Sequence, residues 1–316
     1  MQMTDNPTRA GFAAIIGAPN AGKSTLVNQL VGRKVSIVTH KVQTTRFQVR
    51  GVAIVARTQI VLVDTPGVFA PRRRLDRAMV AAAWAGADDA DVIVHVVDAP
   101  AQSLVFAGKA KGQDARSGQD VDRVIEGLRN ADRKAVLALN KIDGMKREEL
   151  FVITQTLFES GVYDEVFMIS ALKGDGTQAL GEHLAKSMPE GPWLYPEDQI
   201  ADLPERLLAA EVTREKLFLR VHDELPYNAM VETETWEEHR DGSVKIDQAI
   251  ILDAERHKPI VVGKGGAVIK EIGQKAREEL QDQLGRKVHL FLRVIVKPGW
   301  QEQRGRYTSI GLDFEA

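Results

Sequence analysis

The sequence predicts an α/β domain, built on a mostly parallel sheet covered by helices on both faces, followed by a smaller α+β domain. Three observations predict it. The first half alternates short, near-continuously apolar runs with helical patterns, which is how strands buried on both faces read. A stretch carrying Pro189, Pro192, Pro196 and Pro204 then interrupts the alternation, a composition typical of domain boundaries. Beyond it the grammar changes to a helical stretch, two alternating runs joined by a turn, a glycine loop, a second helical stretch and a last apolar run. A chain of 316 residues has room for two cores.

Residues 1–10 are polar and lack the apolar centre of a signal peptide, so a flexible tail is expected there. The first domain is expected over 11–188. Its strands are Phe12–Ile16, Gln59–Val63, Asp91–Val97, Lys134–Leu139 and Val166–Ile169, with Gln48–Val55 as an antiparallel edge partner. Helical patterns cover Lys23–Leu30, Asp76–Ala87 and Gln119–Asn130. Residues 99–118, rich in Ala, Gly, Lys and Gln and without periodicity, predict an exposed insertion. Residues 189–203 predict a Pro-rich linker. The second domain, 204–316, opens with an amphipathic helix over Glu205–His222. Strands follow at Ala229–Glu238 and Val244–Leu252, paired through Asp241-Gly242, then a helix over Val268–Leu284 and a strand over Lys287–Val296.

Composition narrows the functions. The absence of cysteine excludes disulfides and thiolate-bound metals and suits a reducing cytosol. The seven histidines do not cluster at metal-ligand spacings. No apolar run reaches the roughly 20 residues of a spanning helix. With a formal net charge of −2, any nucleic-acid binding must come from a local patch.

Gly17-Ala18-Pro19-Asn20-Ala21-Gly22-Lys23-Ser24 fits G-x-x-x-x-G-K-[ST] between an apolar strand and a helix. Glycines there let backbone N–H groups turn towards phosphate oxygens beside the positive end of the helix dipole. Lys23 would reach the β and γ phosphates, Ser24 would offer its hydroxyl to Mg²⁺, and Thr25 extends the contact set. Asn140-Lys141-Ile142-Asp143 follows a buried strand, where open α/β sheets bind ligands. The Asp143 carboxylate can accept from the N1–H and exocyclic amine of guanine, which adenine cannot offer in that arrangement. The stem of Lys141 would cover the base, and Ser170, Ala171 and Leu172 would back it with a main-chain N–H. Asp64-Thr65-Pro66-Gly67-Val68 also follows a strand: Asp64 would hold the Mg²⁺ hydration shell and Gly67 would offer its N–H to the γ-phosphate. Between these, Thr44 or Thr45, with Thr45 preferred, would complete the metal set of Ser24, Thr45 and Asp64.

These elements, in this order, resemble the translation-factor-like P-loop GTPases. The Gly-Ala-Pro-Asn-Ala-Gly-Lys-Ser, Gln43-Thr44-Thr45-Arg46 and Asp-Thr-Pro-Gly-Val segments resemble the Era subfamily over Gly11 to about Lys186. Lys23, Thr45, Asp64, Gly67 and Asn20 are then the residues expected to carry hydrolysis. Val68 stands where many small GTPases place a water-orienting glutamine, so intrinsic turnover is expected to be slow. The resemblance implies that Asn20 helps bind K⁺ where an arginine finger would otherwise act.

Val262-Gly263-Lys264-Gly265-Gly266, followed by Lys270, forms a Gly-x-x-Gly turn between helical stretches. Such a turn presents backbone N–H groups and a basic side chain to single-stranded RNA. With its flanking strands and the Pro298-Gly299-Trp300 ending, it resembles a KH domain of the Era type. Arg220 is a further candidate RNA contact, and Arg214, Lys216, Lys258, Lys275, Arg277, Arg286, Lys287, Arg293 and Lys297 could extend the surface. The resemblance implies a target at the 3′ end of small-subunit (16S) ribosomal RNA, a role in small-subunit assembly, and a cytoplasmic protein with peripheral contact at the inner face of the cell membrane. A monomer that does not bind DNA is expected. The rival readings are a metabolic P-loop kinase, which would not need Asn140-Lys141-Ile142-Asp143, and an RNA-binding module whose GTP site is vestigial.

Overall fold

The computed structural model describes residues 7–221 and 225–316, which form two compact units. The first holds residues 7–36, 45–202 and 311–316; the second holds 37–44 and the described residues from 203 to 310. The expected boundaries therefore need correction. The 189–203 segment belongs almost entirely to the first unit, residues 37–44 belong to the second, and the chain ends in the first unit rather than the second.

The first unit is built on a seven-stranded sheet of order β6-β5-β4-β1-β3-β2-β7. Its strands are β1 (Arg9–Ile16), β2 (Val49–Val55), β3 (Thr58–Asp64), β4 (Val92–Asp98), β5 (Ala135–Asn140), β6 (Tyr163–Met168) and β7 (Ala201–Asp202). All neighbours from β6 to β3 run parallel, and β2 is antiparallel to both β3 and β7. Strand periodicity sorts side chains to two cores. Ala14 and Ile16 join Val121 and Leu128 on one face, while Ala13 and Ile15 join Leu26 and Leu180 on the other. The covering helices are α1 (Lys23–Val31), α2 (Arg74–Asp88), α3 (Ala99–Phe106), α4 (Gln113–Asn130), α5 (Arg147–Phe158) and α6 (Thr177–Ser187).

Two expectations fail here for identifiable reasons. Residues 99–118 are not an irregular insertion but α3 and the start of α4. Asp98 caps α3 by accepting from the Ala101 N–H at 3.1 Å, and Pro100 lies in the first turn, where its missing N–H costs nothing. Residues 189–203 are fastened rather than free. Gln59, fully buried in β3, accepts from the N–H groups of Leu194 and Tyr195 and donates to the Tyr195 carbonyl, and β7 pairs with β2. The expected tail is shorter too, since Arg9 and Ala10 are already in β1.

The second unit packs α7 (Glu205–Arg220) and α9 (Ala267–Leu284) against a three-stranded sheet. Its strands are β8 (Ala229–Glu238), β9 (Val244–Leu252) and β10 (Val288–Val296), in the order β10-β9-β8. β8 and β9 are antiparallel across the Asp241-Gly242 turn, and β10 is parallel to β9. Short helices α8 (Lys258–Val262) and α10 (Arg304–Thr308) complete it. His222, the last residue of the helix expected from Glu205, lies outside the described residues.

Candidate nucleotide and nucleic-acid sites

The loop from Gly17 to Gly22 joins β1 to α1 at the carboxyl edge of the sheet. Gly17 has φ 148°, and a Cβ there would lie 2.3 Å from the Val96 carbonyl oxygen of β4, so no side chain fits. Lys23 is buried, and its ammonium donates to the carbonyls of Gly17 (3.1 Å) and Ala18 (2.9 Å). Burial brings its pKa down to about 8, against the opposing pull of Asp64 and Asp120.

Asp64 closes β3 and is fully buried. The Ser24 hydroxyl donates to its Oδ2 at 2.7 Å, and the Thr45 hydroxyl lies 2.9 Å from Ser24 Oγ and 3.4 Å from Asp64 Oδ2. Desolvation pushes the Asp64 pKa up, and hydrogen bonding from Ser24 and the charge of Lys23 oppose it. Its Oδ1 is buried without a hydrogen-bond partner among the described residues, as is the hydroxyl of Ser36. A buried carboxylate with an unused oxygen beside two hydroxyls is a hard-cation donor set, and it fits magnesium, which takes few protein carboxylates and completes its shell with phosphate and water. Thr44 turns elsewhere, with its hydroxyl 2.6 Å from Thr39 Oγ1 and donating to the Lys41 carbonyl.

The segment after Asp64 docks on the phosphate loop. Val68 N–H donates to the Gly17 carbonyl at 3.1 Å, while its side chain, 2% exposed, joins the core with Ile16 and Ala83. Val68 is thus apolar and also turned away from solvent. Thr65 donates to the Ile15 carbonyl at 2.8 Å, which ties β3 to β1 and gives this expected contact residue a structural use. Pro66 and Gly67 are buried, and Asn20 adopts a left-handed φ of 63°.

At the opposite end of the carboxyl edge, buried Asn140 acts as a staple. Its Nδ2 donates to the Ala21 carbonyl at 2.8 Å, and its Oδ1 accepts from the Ala171 N–H at 2.9 Å. Of the three residues expected to offer a main-chain N–H to the base, Ala171 is therefore taken, Ser170 N–H donates to the Asp175 carbonyl, and Leu172, at 80% exposure, is the open member. Asp143 is exposed, and the Ser170 hydroxyl beside it holds its carboxyl below the usual range. Lys141, at φ 66°, pairs its ammonium with Asp98. Asp98 was not among the residues picked from sequence, although an Asp directly before an Ala-Pro helix start is a recognisable capping signal.

In the second unit, Gly263 ends α8 at φ 73°, and a Cβ there would meet Val268 at 2.5 Å. Gly265 and Gly266 follow at positive φ, with α9 starting at Ala267. Lys264 and Lys270 are exposed and make no ion pair among the described residues; Val262 is half-buried. The wider basic surface contracts in part: Lys258, Arg277, Lys287 and Lys297 enter no ion pair among the described residues, whereas the others are paired. Arg220 pairs with Glu271, Lys216 with Glu215 and Glu279, Lys275 with Glu271, Arg286 with Glu205 and Glu238, and Arg293 with Glu234. Arg214 is buried against Glu211. Sequence hides the pairs whose partners are remote in the chain, such as Arg220–Glu271 and Arg293–Glu234, whereas Glu211–Arg214 and Glu271–Lys275 stand at helical i,i+3 and i,i+4 spacings.

Comparison with known proteins identifies both domain types. A family model described as 50S ribosome-binding GTPase matches residues 12–141, and one described as KH domain matches residues 224–301. GTPase Era of Caulobacter vibrioides is 64% identical over 315 residues, covering 100% of each chain. A solved structure of Aquifex aeolicus Era bound to GDP·AlF4− has a TM-score of 0.85 and 36% identity, over 96% of this chain and 99% of the other. A structure of Era with MgGDPNP and nucleotides 1506–1542 of 16S ribosomal RNA matches with the same values.

Proposed function

The chain belongs to the Era family of GTPases, and on that premise we propose that it is a slow GTP-driven timer whose KH domain binds small-subunit ribosomal RNA near its 3′ end during subunit assembly. The observation that carries this reading is the match over 96% of the chain to an Era structure holding both MgGDPNP and 16S nucleotides.

In this reading the backbone N–H groups of 17–22 and the Lys23 ammonium bind the phosphates, and Asp143 selects guanine. Ser24, Thr45 and Asp64 hold Mg²⁺, which supplies charge neutralisation on the phosphates. Gly67 senses the γ-phosphate through its N–H. With Val68 packed into the core, no side chain at that position orients water, which supports slow intrinsic turnover. Asn20, preset in the left-handed region, is the candidate K⁺ ligand; equal turnover in K⁺ and Na⁺ would remove that role. Gly263 to Gly266, with Lys264 and Lys270, takes the RNA backbone, flanked by Val262 and Arg220.

The test is binding of a labelled RNA matching the 3′ end of 16S, by fluorescence anisotropy, with GDPNP or GDP present. The reading expects tighter RNA binding with GDPNP, and, by linkage, RNA should tighten GDPNP by the same factor. Equal RNA affinity in both states overturns the switch. Absent single-turnover hydrolysis, with or without RNA, would leave only a vestigial site. No described helix is long and apolar enough to cross a membrane; cytoplasmic location with peripheral membrane contact belongs to the same reading, and fractionation at low and high salt tests it.

A further inference from the structure

Residues 37–44 have no regular secondary structure and pack in the second unit, although the next residue, Thr45, carries the hydroxyl beside Ser24 and Asp64. They are held by charged side chains of α7. Arg214 is 2% exposed; it donates to the Thr44 carbonyl and is gripped by both oxygens of Glu211. Glu215, also buried, accepts from the Val38 N–H at 2.8 Å. The Lys41 ammonium donates to the Val221 carbonyl just past the end of α7. The row continues inward: Lys216 joins Glu215 to Glu279 of α9, the helix that begins one residue after the glycine loop.

A buried row of this kind needs a reason. Replacing a buried ion pair with apolar side chains is often neutral or stabilising, so stability alone is weak grounds for keeping one; fixing a register or a switch is its best-attested use. Arg214 also leaves Nη1 buried without a partner among the described residues, which makes the clamp costly relative to a Met or Leu at that position. The gripped segment has no sheet or helix to break when it moves.

We propose that the Glu211–Arg214–Glu215 row of α7 is the reader of nucleotide state, with Arg214 as a positioning residue that binds the peptide adjoining Thr45. The idea rests on the GTP-switch reading above. When Thr45 is drawn to the metal site, the Thr44 carbonyl, one peptide bond away, is displaced or fixed relative to Arg214. α7 then feels which nucleotide is bound, and Glu215–Lys216–Glu279 passes the difference to α9. The segment is thus joined at one end to the residues beside Asp64 and held at the other by α7, a contiguous physical connection of the kind coupling requires.

Hydrogen exchange of the full chain with GDP or GDPNP tests this without RNA. In the parent, amides of Val38 and of Glu211–Val221 should differ between the two nucleotides by about fivefold or more, the low end of ordinary allosteric coupling. In the double variant Arg214→Met with Glu211→Leu, which removes both charges together, that difference should vanish in α7. Glu215→Gln, which keeps an acceptor for Val38 but loses the charge facing Lys216, should keep the difference in α7 and lose it in α9. Nucleotide-insensitive α7 amides in the parent overturn the proposal. So does a double variant that exchanges faster by the same factor in both states, the signature of a purely structural clamp. Guanine-nucleotide binding is measured separately on the same samples. Failure there defeats the GTP reading itself, whereas binding without a response in α7 defeats only the clamp.

Discussion

Asn140 offers the sharpest test of how the nucleotide edge is assembled. Its side chain makes two buried hydrogen bonds, to the Ala21 carbonyl and from the Ala171 N–H, and both of those residues are buried. Asn140→Ala removes the shared partner and leaves one acceptor and one donor unsatisfied, at about 1–3 kcal/mol each, so a loss of about 3 kcal/mol is a conservative expectation within the combined range of about 2–6 kcal/mol. For a unit of this size each kcal/mol lowers Tm by about 2–4 °C, which gives a drop of about 6–12 °C. Thermal unfolding should be followed in nucleotide-free protein, because any contribution from contact with a base is then absent. Asn140→Asp keeps the acceptor for Ala171 but sets an oxygen against the Ala21 carbonyl, so it should also destabilise. If both variants melt within about 1 °C of the parent without nucleotide, the staple is not what holds the two loops together, and the reasoning fails.

Three further outcomes follow from the geometry. The Lys23 pKa, about 8 without ligand, should rise beside phosphate, so nucleotide binding takes up protons above pH 8 and affinity falls as pH climbs from 8 towards 10; calorimetry in buffers of different ionisation enthalpy measures it, and no uptake at pH 8.5 refutes it. His95, fully buried on β4 with Nδ1 2.8 Å from the Tyr163 hydroxyl, has its pKa lowered by burial to about 3. Between 6.5 and 3 the unfolded chain binds a proton that the folded chain refuses, so stability falls with pH. His95→Gln should lose about 3 kcal/mol less than the parent between pH 7 and pH 4 in urea titrations, and equal losses would refute this. Asp98→Asn keeps the cap on α3 but not the charge opposite Lys141; GDP should dissociate about two- to fivefold faster, the scale of a partly exposed ion pair, and an unchanged rate counts against a role for Asp98.

Much of this was legible in the sequence, and the boundary of what was legible has a physical logic. Gly17 to Ser24, Asp64 to Val68 and Asn140 to Asp143 each follow an apolar run, so strand ends could be located from local pattern alone. The antiparallel edge strand and the turn at Asp241-Gly242 were readable for the same reason. The helix over 99–106 is hidden because residues 99–118 lack periodicity, although Asp98 before Ala99-Pro100 makes the segment a capped helix start. The anchoring of 189–203 was hidden because its partner is one glutamine, Gln59, some 135 positions away. Part of the basic surface is hidden in the same way: Lys216 and Arg293 pair with Glu279 and Glu234, 63 and 59 positions away. Thr44 and Thr45 could not be separated by spacing; the hydrogen bonds of each hydroxyl separate them.

Each compact unit holds a piece of chain from beyond its own main stretch: 37–44 in the second, 311–316 in the first, where Arg74 at the start of α2 donates to the Phe314 carbonyl at 3.2 Å and stacks over its ring. This bears on how the protein is made and how it can be cut. During vectorial synthesis residues 37–44 emerge long before α7, their packing partner, and the first unit gains residues 311–316 only after the whole second unit has been made. A fragment stopped at Asp202 therefore carries a loop whose anchors were never translated, and a fragment starting at Leu203 carries an end whose dock is missing. Dissecting the chain at its proline-rich stretch separates the sequences cleanly but strands residues 37–44 and 311–316 away from the units they pack in.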